Sequence, residues 1–318
     1  MDYDIIGDVH GQLHKLEALL DRLGYRERSG VRRHPERQAI FVGDFIDRGE
    51  HGVEVVDTVR RMVDSGAALA VMGNHELNAI AWHTRDASDP GEYLRPHWRE
   101  PWGEKNRKQH AAFLAQVEHR IELHREIVQW FLTLPLWLEL PALRVVHACW
   151  HEPAMAWLSA KVDGRRCLPG TLLPEATKEP AGGKKGEAMS TFAAVEFLTK
   201  GVEVALPQGH SFEDKDGITR REVRIRWWDE QSSSYRDLAL VPDGAERLPD
   251  VPVPQNMRPR VPGGKPTFFG HYWMTGRPAP LSPSAACVDY SAGKGGPLVA
   301  YRYEAGAPLA ATDFASAG

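Results

Sequence analysis

The sequence predicts an α/β fold built on parallel strands, and three observations carry that prediction. Short apolar strands alternate with amphipathic helices over the first eighty residues. Five apolar strands along the chain end in an acid, an amide or a histidine. The chain has 318 residues, 42% of them hydrophobic, enough for a sizeable core. A strand–helix–strand succession implies parallel pairing with right-handed crossovers.

Taken in order, Asp4-Ile5-Ile6 is a short buried strand that Gly7 breaks. Leu13, Leu16, Leu19, Leu20 and Leu23 recur at helical spacing, and Gly24 stops that helix. Residues 26–37 are polar and read as a loop. Ala39 to Val42 form the second strand, with Gly43-Asp44 as its turn. Val53, Val56, Val59 and Met62 give a second helix, and Leu69 to Met72 the third strand, ending at Gly73-Asn74. Residues 84–102, rich in Pro, Gly, Asp and Arg and holding Trp98 and Trp102, read as a surface excursion. Residues 106–131 read as one long helix with Phe113, Val117, Ile121, Ile127 and Phe131 inside and His110, His119 and His124 as solvated positions. A hairpin around Pro141 leads into Leu143 to His147.

Residues 148–265 are covered by no motif. Residues 154–161 and 191–200 read as helices, and 178–186, rich in Gly and Lys, as an exposed loop where proteolysis cuts first. Asp214-Lys215-Asp216-Gly217 opens like a calcium loop but lacks its later ligands, so it reads as a turn. Residues 221–228 alternate as a strand, with Arg224 and Arg226 on one face and Val223, Ile225 and Trp227 on the other. The charged face reads as solvated; the alternative is a basic wall for a phosphate-rich substrate. Residues 242–266, rich in proline, return the chain to the core.

The formal charge of −4 argues against a general nucleic-acid binder. Three cysteines with no metal-type pairing suggest a reducing compartment. The first strand begins almost at Met1, leaving no room for a cleavable leader, and no apolar run reaches membrane-spanning length. A cytoplasmic setting with no membrane partner is the expectation.

The strand ends carry the chemistry. Asp8 and His10, two positions apart, point to the same side of an extended chain, at a strand end where open α/β sheets place ligands. An oxygen and a nitrogen donor together suit a divalent first-row metal. Gly43-Asp44-Phe45-Ile46-Asp47-Arg48-Gly49, Gly73-Asn74-His75-Glu76, the strand ending in His147 and Phe268-Phe269-Gly270-His271 follow in order.

These motifs resemble the calcineurin-like metallophosphoesterases. Asp47-Arg48-Gly49 is nearer the phosphoprotein phosphatase superfamily, which includes Ser/Thr protein phosphatases and the bacterial symmetrical diadenosine-tetraphosphate hydrolases. Gly73 to Ala81 and Cys287 to Gly293 look more like the bacterial hydrolase branch. The resemblance covers roughly residues 3–147 and 266–303. It implies a four-layer α/β/β/α sandwich: one domain over 1–318, with a helical lid at 84–131 and an insertion at 148–265.

The resemblance also implies a dimetal centre. Asp8, His10 and Asp44 would hold one ion, and Asp44, Asn74, His147 and His271 the other, Asp44 bridging. Manganese is the expected metal, with iron or zinc as alternatives, and a metal-bound hydroxide is the expected nucleophile. His75, oriented by Asp47, would protonate the leaving group, and Arg48 would grip the phosphate. The expected substrate is a small phosphorylated metabolite or a dinucleoside polyphosphate; alternatives are a phosphoprotein, as for a Ser/Thr phosphatase, or a non-catalytic binding module. The chain departs from the wider pattern in two places. Trp273 stands where a second histidine binds the first metal. His147 is followed by Ala148-Cys149-Trp150, whose indole would stack on a base or pack. Gly209-His210 mimics the last motif, leaving His210 as an alternative to His271.

Overall fold

Six parallel strands end at one edge, and they come from two sheets. The structure, a computed structural model, describes residues 1–180, 189–213, 218–241 and 244–318. Most of the loop expected at 178–186, and the whole Asp214–Gly217 turn, lie outside them. The chain runs β1 (Asp2–Ile6), α1 (Leu13–Leu23), β2 (Arg26–Arg28), β3 (Val31–Arg33), β4 (Arg37–Phe41), α2 (Gly52–Asp64), β5 (Ala68–Ala70) and α3 (Asn74–His83). It continues through α4 (Trp102–Val117), α5 (Ile121–Phe131), β6 (Trp137–Glu139), β7 (Arg144–Val146), α6 (Glu152–Ser159), α7 (Leu173–Thr177) and α8 (Thr191–Lys200). Then follow β8 (Glu203–Ala205), β9 (Phe212–Glu213), β10 (Thr219–Arg220), β11 (Glu222–Arg224), α9 (Tyr235–Leu238), β12 (Thr267–Phe269), β13 (Ala285–Cys287), β14 (Leu298–Tyr303) and β15 (Phe314–Ala317).

The first sheet has the order β15-β14-β1-β4-β5, and the second β13-β12-β7-β6. β1, β4 and β5 are parallel, as are β7, β12 and β13; β14, β15 and β6 run antiparallel to their neighbours. Alternation along the strands sets the two faces. Tyr3, Ile5, Ile40 and Tyr301 of the first sheet share a buried cluster with Val145, Phe268 and Ala286 of the second. The Phe268 and Tyr301 rings lie 5.1 Å apart there. Ile6, Phe41 and Ala300 face the other way and pack with Leu16, Leu19, Leu20, Val55 and Val59 of α1 and α2. A fully buried aromatic or branched side chain contributes roughly 1.5–3 kcal/mol, so this inter-sheet cluster is what holds the two sets of strand ends in register.

Three expectations need correction. Residues 26–37 hold a hairpin, with Arg26 opposite Arg33, turned by Ser29 and Gly30 at positive φ. Such a pair of left-handed residues makes the tight turn favoured between two strands, and its exposed polar strands carried no apolar period to reveal it. The long helix expected at 106–131 is two, α4 and α5, broken across Glu118 to Arg120. Ile121, expected inside, is 64% exposed, because the break shifts the helical phase. His119 is exposed as expected, whereas His110 and His124 are buried. No helix among the described residues is long and apolar enough to cross a membrane.

Candidate metal centre

Three of the strand ends turn sharply, at His10, Asp44 and His271. His10, Asp44, Asp47, Arg48, His271 and Trp273 all have φ between +48° and +72°. Non-glycine residues adopt this region at a cost that surrounding structure must hold in place, and such residues cluster at functional sites. The motif glycines admit the crowding. A Cβ on Gly270 would lie 2.0 Å from Asp8 Oδ1, and one on Gly73 2.3 Å from Asp44 Oδ1. Gly270→Ala is therefore expected to displace Asp8, lower metal content and cost about 1–3 kcal/mol of stability; thermal melts with and without added metal check this.

Asp44 sits at the middle. His10 Nε2 is 3.6 Å from its Oδ2, and His147 Nε2 3.5 Å from its Oδ1. Among the described residues, two groups of donor atoms converge there: His10, Asp44 and His75, and Asp44, His147 and His271. Asn74 Oδ1 lies 3.1 Å from His147 Nε2 and 2.8 Å from His271 Nδ1, so the amide stands with the second group. Backbone carbonyls fix two of the rings: Ile46 O is 3.0 Å from His10 Nδ1, and Val42 O 2.7 Å from His147 Nδ1. Asp8 is fixed through Oδ2, which accepts from the His271 N–H at 2.9 Å. Asp8 Oδ1 and His10 Nε2 are buried with no hydrogen-bond partner. Buried polar atoms are rarely left this way, and both are donors a divalent cation would take. The residue types and the orphaned atoms fit a metal.

The electrostatics agree. Burial, then Asp289 and Asp44, push the Asp8 carboxyl well above the usual carboxylate range. Burial acts the same way on Asp44, but the imidazoles of His147, His75 and His10 and the His75 N–H outweigh it and hold the group low. Burial lowers His10 to about 4 and His271 well below the ordinary imidazole range. Neutral imidazoles are the form that ligates metal.

His75 stands apart. Its Nδ1 is 2.5 Å from Asp47 Oδ2, and Nε2 is 3.9 Å from Asp44 Oδ2. Burial opposes charging of His75, but Asp44 and Asp47 raise its pKa. Asp47 also receives His110, whose Nδ1 lies 2.8 Å from Oδ1. The solvated role expected for His110 is thus overturned: α4 docks it on Asp47 of the second motif. Glu76 is a second residue the sequence left without a role. Its carboxylate accepts from the backbone N–H groups of Asp44 (2.8 Å), Phe45 (2.8 Å) and Gly73 (3.0 Å), tying two strand-end loops together. Asp289, at the end of β13, is a third. It accepts from the Trp273 N–H at 2.6 Å and the Ser291 N–H at 2.9 Å.

Arg224 corrects another expectation. Instead of a solvated face, its Nη1 donates to His271 Nε2 at 3.3 Å and its Nη2 to Glu203 at 3.1 Å. Arg226 bonds the Asp237 carbonyl. Arg48 is exposed at the rim, 5.5 Å from the Trp273 ring. Trp273 itself stacks on His10, ring centres 5.2 Å apart. Trp150 is buried and packs beside Arg144. His210 is exposed and stands in neither donor group. His210→Asn is accordingly expected to leave metal content and turnover at wild-type levels, as elemental analysis and a steady-state assay would report.

The calcineurin-like phosphoesterase family model matches residues 1–155. The match covers just under half of the 318 residues. Curated relatives named asymmetrical bis(5'-nucleosyl)-tetraphosphatase PrpE, from Halalkalibacterium halodurans and Bacillus subtilis, are 49% and 43% identical to it over 76 residues. Those residues make up 24% of this chain and 31% of each relative, so the chain spans about a third of the length of the curated relatives it matches. A solved cold-active protein-tyrosine phosphatase from a Shewanella species aligns over 100% of this chain and 80% of its own, at 15% identity and a TM-score of 0.48. Among the described residues, the donor sets draw on both halves of the chain, since His271 lies well beyond the matched region.

Proposed function

We propose that the chain hydrolyses phosphate esters or anhydrides at a pair of divalent cations, with dinucleoside polyphosphates as the preferred substrate class. One observation supports this above the others: two donor groups meet on Asp44, beside orphaned atoms of Asp8 and His10. Asp8, His10 and Asp44 would hold one cation, and Asp44, Asn74, His147 and His271 the other. Manganese is the first ion to test, then iron and zinc, because mixed oxygen and nitrogen donors favour these over calcium. Such a pair, when bound, polarises phosphate oxygens and acidifies water.

The chain's own side chains complete the chemistry. His75 holds a proton that can pass to the leaving oxygen, and Asp47 keeps the ring aimed through Nδ1. His110 fixes the other oxygen of Asp47. Arg48 at the rim and Arg224 beside His271 offer guanidinium forks to the non-reacting phosphate oxygens. Residues 1–318 would act as one unit, with 84–131 and 148–265 framing the centre.

A substrate panel under manganese tests the reading: an aryl phosphate, phosphopeptides, mononucleotides and diadenosine tetraphosphate. The expected result is the highest kcat/KM on the dinucleotide. A phosphopeptide preference would indicate a protein phosphatase, and no turnover on any substrate would indicate a binding module. The motifs resemble the symmetrical hydrolases, whereas the relatives are named asymmetrical. Chromatography of the products, two ADP or ATP plus AMP, separates the two cuts.

A further inference from the structure

The indole of Trp273 gathers two cations beside the metal donors. Its ring centre lies 3.8 Å from Lys294 Nζ and 5.5 Å from the Arg48 guanidinium, and it stacks on His10 with ring centres 5.2 Å apart. We propose that Trp273 and Lys294 are specificity-determining residues. With Arg48 they form a wall that takes a phosphate other than the one being cleaved, so that the centre favours polyphosphate chains over phosphate monoesters. This rests on the phosphoesterase reading of the donor sets.

The place argues first. His10 belongs to a donor group that includes Asp44, and its Nε2 is one of the orphaned atoms there. Trp273 therefore borders the donors themselves. It stands in the last motif where the resemblance expects a second histidine, but an indole N–H only donates and cannot ligate a cation. What this residue supplies is a surface.

The backbone argues second. Trp273 sits at φ +54° and Ser291 at φ +64°, a region that residues with a Cβ keep only when surrounding structure holds them. One buried carboxylate holds both: Asp289 accepts from the Trp273 N–H at 2.6 Å and from the Ser291 N–H at 2.9 Å. Ser291 Oγ donates to the Met274 carbonyl at 3.1 Å. The turn from Ala292 to Lys294 is pressed against His10, since a Cβ on Gly293 would lie 2.9 Å from the His10 Cβ. Lys15 Nζ donates to the carbonyls of Ala292 at 3.2 Å and Gly296 at 2.7 Å. Three separate parts of the chain thus fix the point from which Lys294 reaches over the indole.

Charge argues third. Arg48 and Lys294 are exposed, carry the same sign and lie against one ring. Cation–π attraction is weak at exposed sites, and like charges brought together repel. Asp289 lies within electrostatic reach of Lys294, but it is buried and its two oxygens are already taken by backbone N–H groups. A chain of two or more phosphates answers both cations. The Arg48 fork matches two oxygens of one phosphate, and the compact Lys294 ammonium suits an oxygen of the next. A monoester has one phosphate and leaves Lys294 unused.

The test uses the full chain with manganese kept in excess. Methylenediphosphonate, whose two phosphorus groups are joined by a bond that resists hydrolysis, and orthophosphate are titrated calorimetrically into wild type, Lys294→Gln, Lys294→Arg and Trp273→Leu. kcat/KM is measured for diadenosine tetraphosphate, inorganic tripolyphosphate and p-nitrophenyl phosphate. Lys294→Gln should weaken the diphosphonate by about tenfold and orthophosphate far less, and Lys294→Arg should restore most of that affinity. Lys294→Gln and Trp273→Leu should each raise KM on the polyphosphates and lose far more there than on the aryl phosphate. Whichever polyphosphate wild type cleaves faster names the source, nucleotide or inorganic. Diphosphonate affinity unchanged in Lys294→Gln, orthophosphate weakened as much as the diphosphonate, or equal losses on polyphosphate and aryl substrates would each overturn the wall. Should Trp273→Leu fail to fold, the exposed Lys294→Gln decides alone. Any of those results with aryl phosphate turnover intact in wild type sinks the wall and leaves the phosphoesterase reading standing. No turnover of any substrate by wild type sinks that reading instead, while the calorimetry still reports on Lys294.

Discussion

Asp44→Ala is expected to empty both metal sites and take turnover down to the uncatalysed blank. The reasoning is geometric. Asp44 is the one group common to both donor sets, with ring nitrogens near each of its oxygens. It is also a junction of the backbone: its carbonyl accepts from Val9 N at 3.1 Å and His10 N at 2.8 Å, and its Oδ1 accepts from His75 N at 3.0 Å. Losing the carboxylate withdraws the shared charge and frees the His75 N–H together. Other single-ligand losses should leave one ion behind. Elemental analysis after dialysis, paired with an aryl phosphate assay, reads both effects. Wild-type turnover in this variant would reject the dimetal reading outright.

His75→Asn should separate proton donation from metal binding. Metal content should remain near wild type, because His75 Nδ1 is committed to Asp47. Alkyl phosphates, whose leaving oxygen needs a proton, should slow by roughly 100- to 10,000-fold, and aryl phosphates far less. His271→Asn should lower metal occupancy and hurt both substrates, with partial rescue by excess metal. The pH profile adds a signed check. His75 is raised above the ordinary imidazole value by Asp44 and Asp47 against the effect of burial. A raised donor is protonated below its own pKa and loses the proton as pH climbs through it. Wild-type alkyl phosphate turnover should therefore fall on that basic limb, and the limb should vanish in His75→Asn. Equal losses on alkyl and aryl substrates would remove His75 from the acid role.

The residues legible in the sequence share a local origin. Asp8, His10, Asp44, Asn74, His147 and His271 each follow directly on an apolar strand, so strand period and turn together announce them. Glu76 is half legible. Its bond to Gly73 N is the reciprocal contact of a helix start, but its bonds to Asp44 N and Phe45 N depend on a loop some thirty residues earlier. His110 is illegible for the same reason at longer range: nothing in the spacing of α4 tells which face will meet Asp47, 63 residues away. Arg224 falls between. Alternation placed it on a charged face, but only the pairing of β11 with β8 opposite Glu203 shows that this face borders His271.

The neighbours of β1 have a consequence for how the chain can be divided. One flank of Asp2 to Ile6 is closed by residues 300–303. Val288 O also lies so near Gly7 that a Cβ there would sit 2.0 Å from it. A fragment stopped at residue 155, where the family match ends, would hold Asp44 and His147 but expose a bare edge beside Tyr3 and Ile5. Unpaired edges of this kind invite misassembly. The matched region therefore does not stand by itself: its first strand needs residues 300–303 beside it, and its second donor set needs His271.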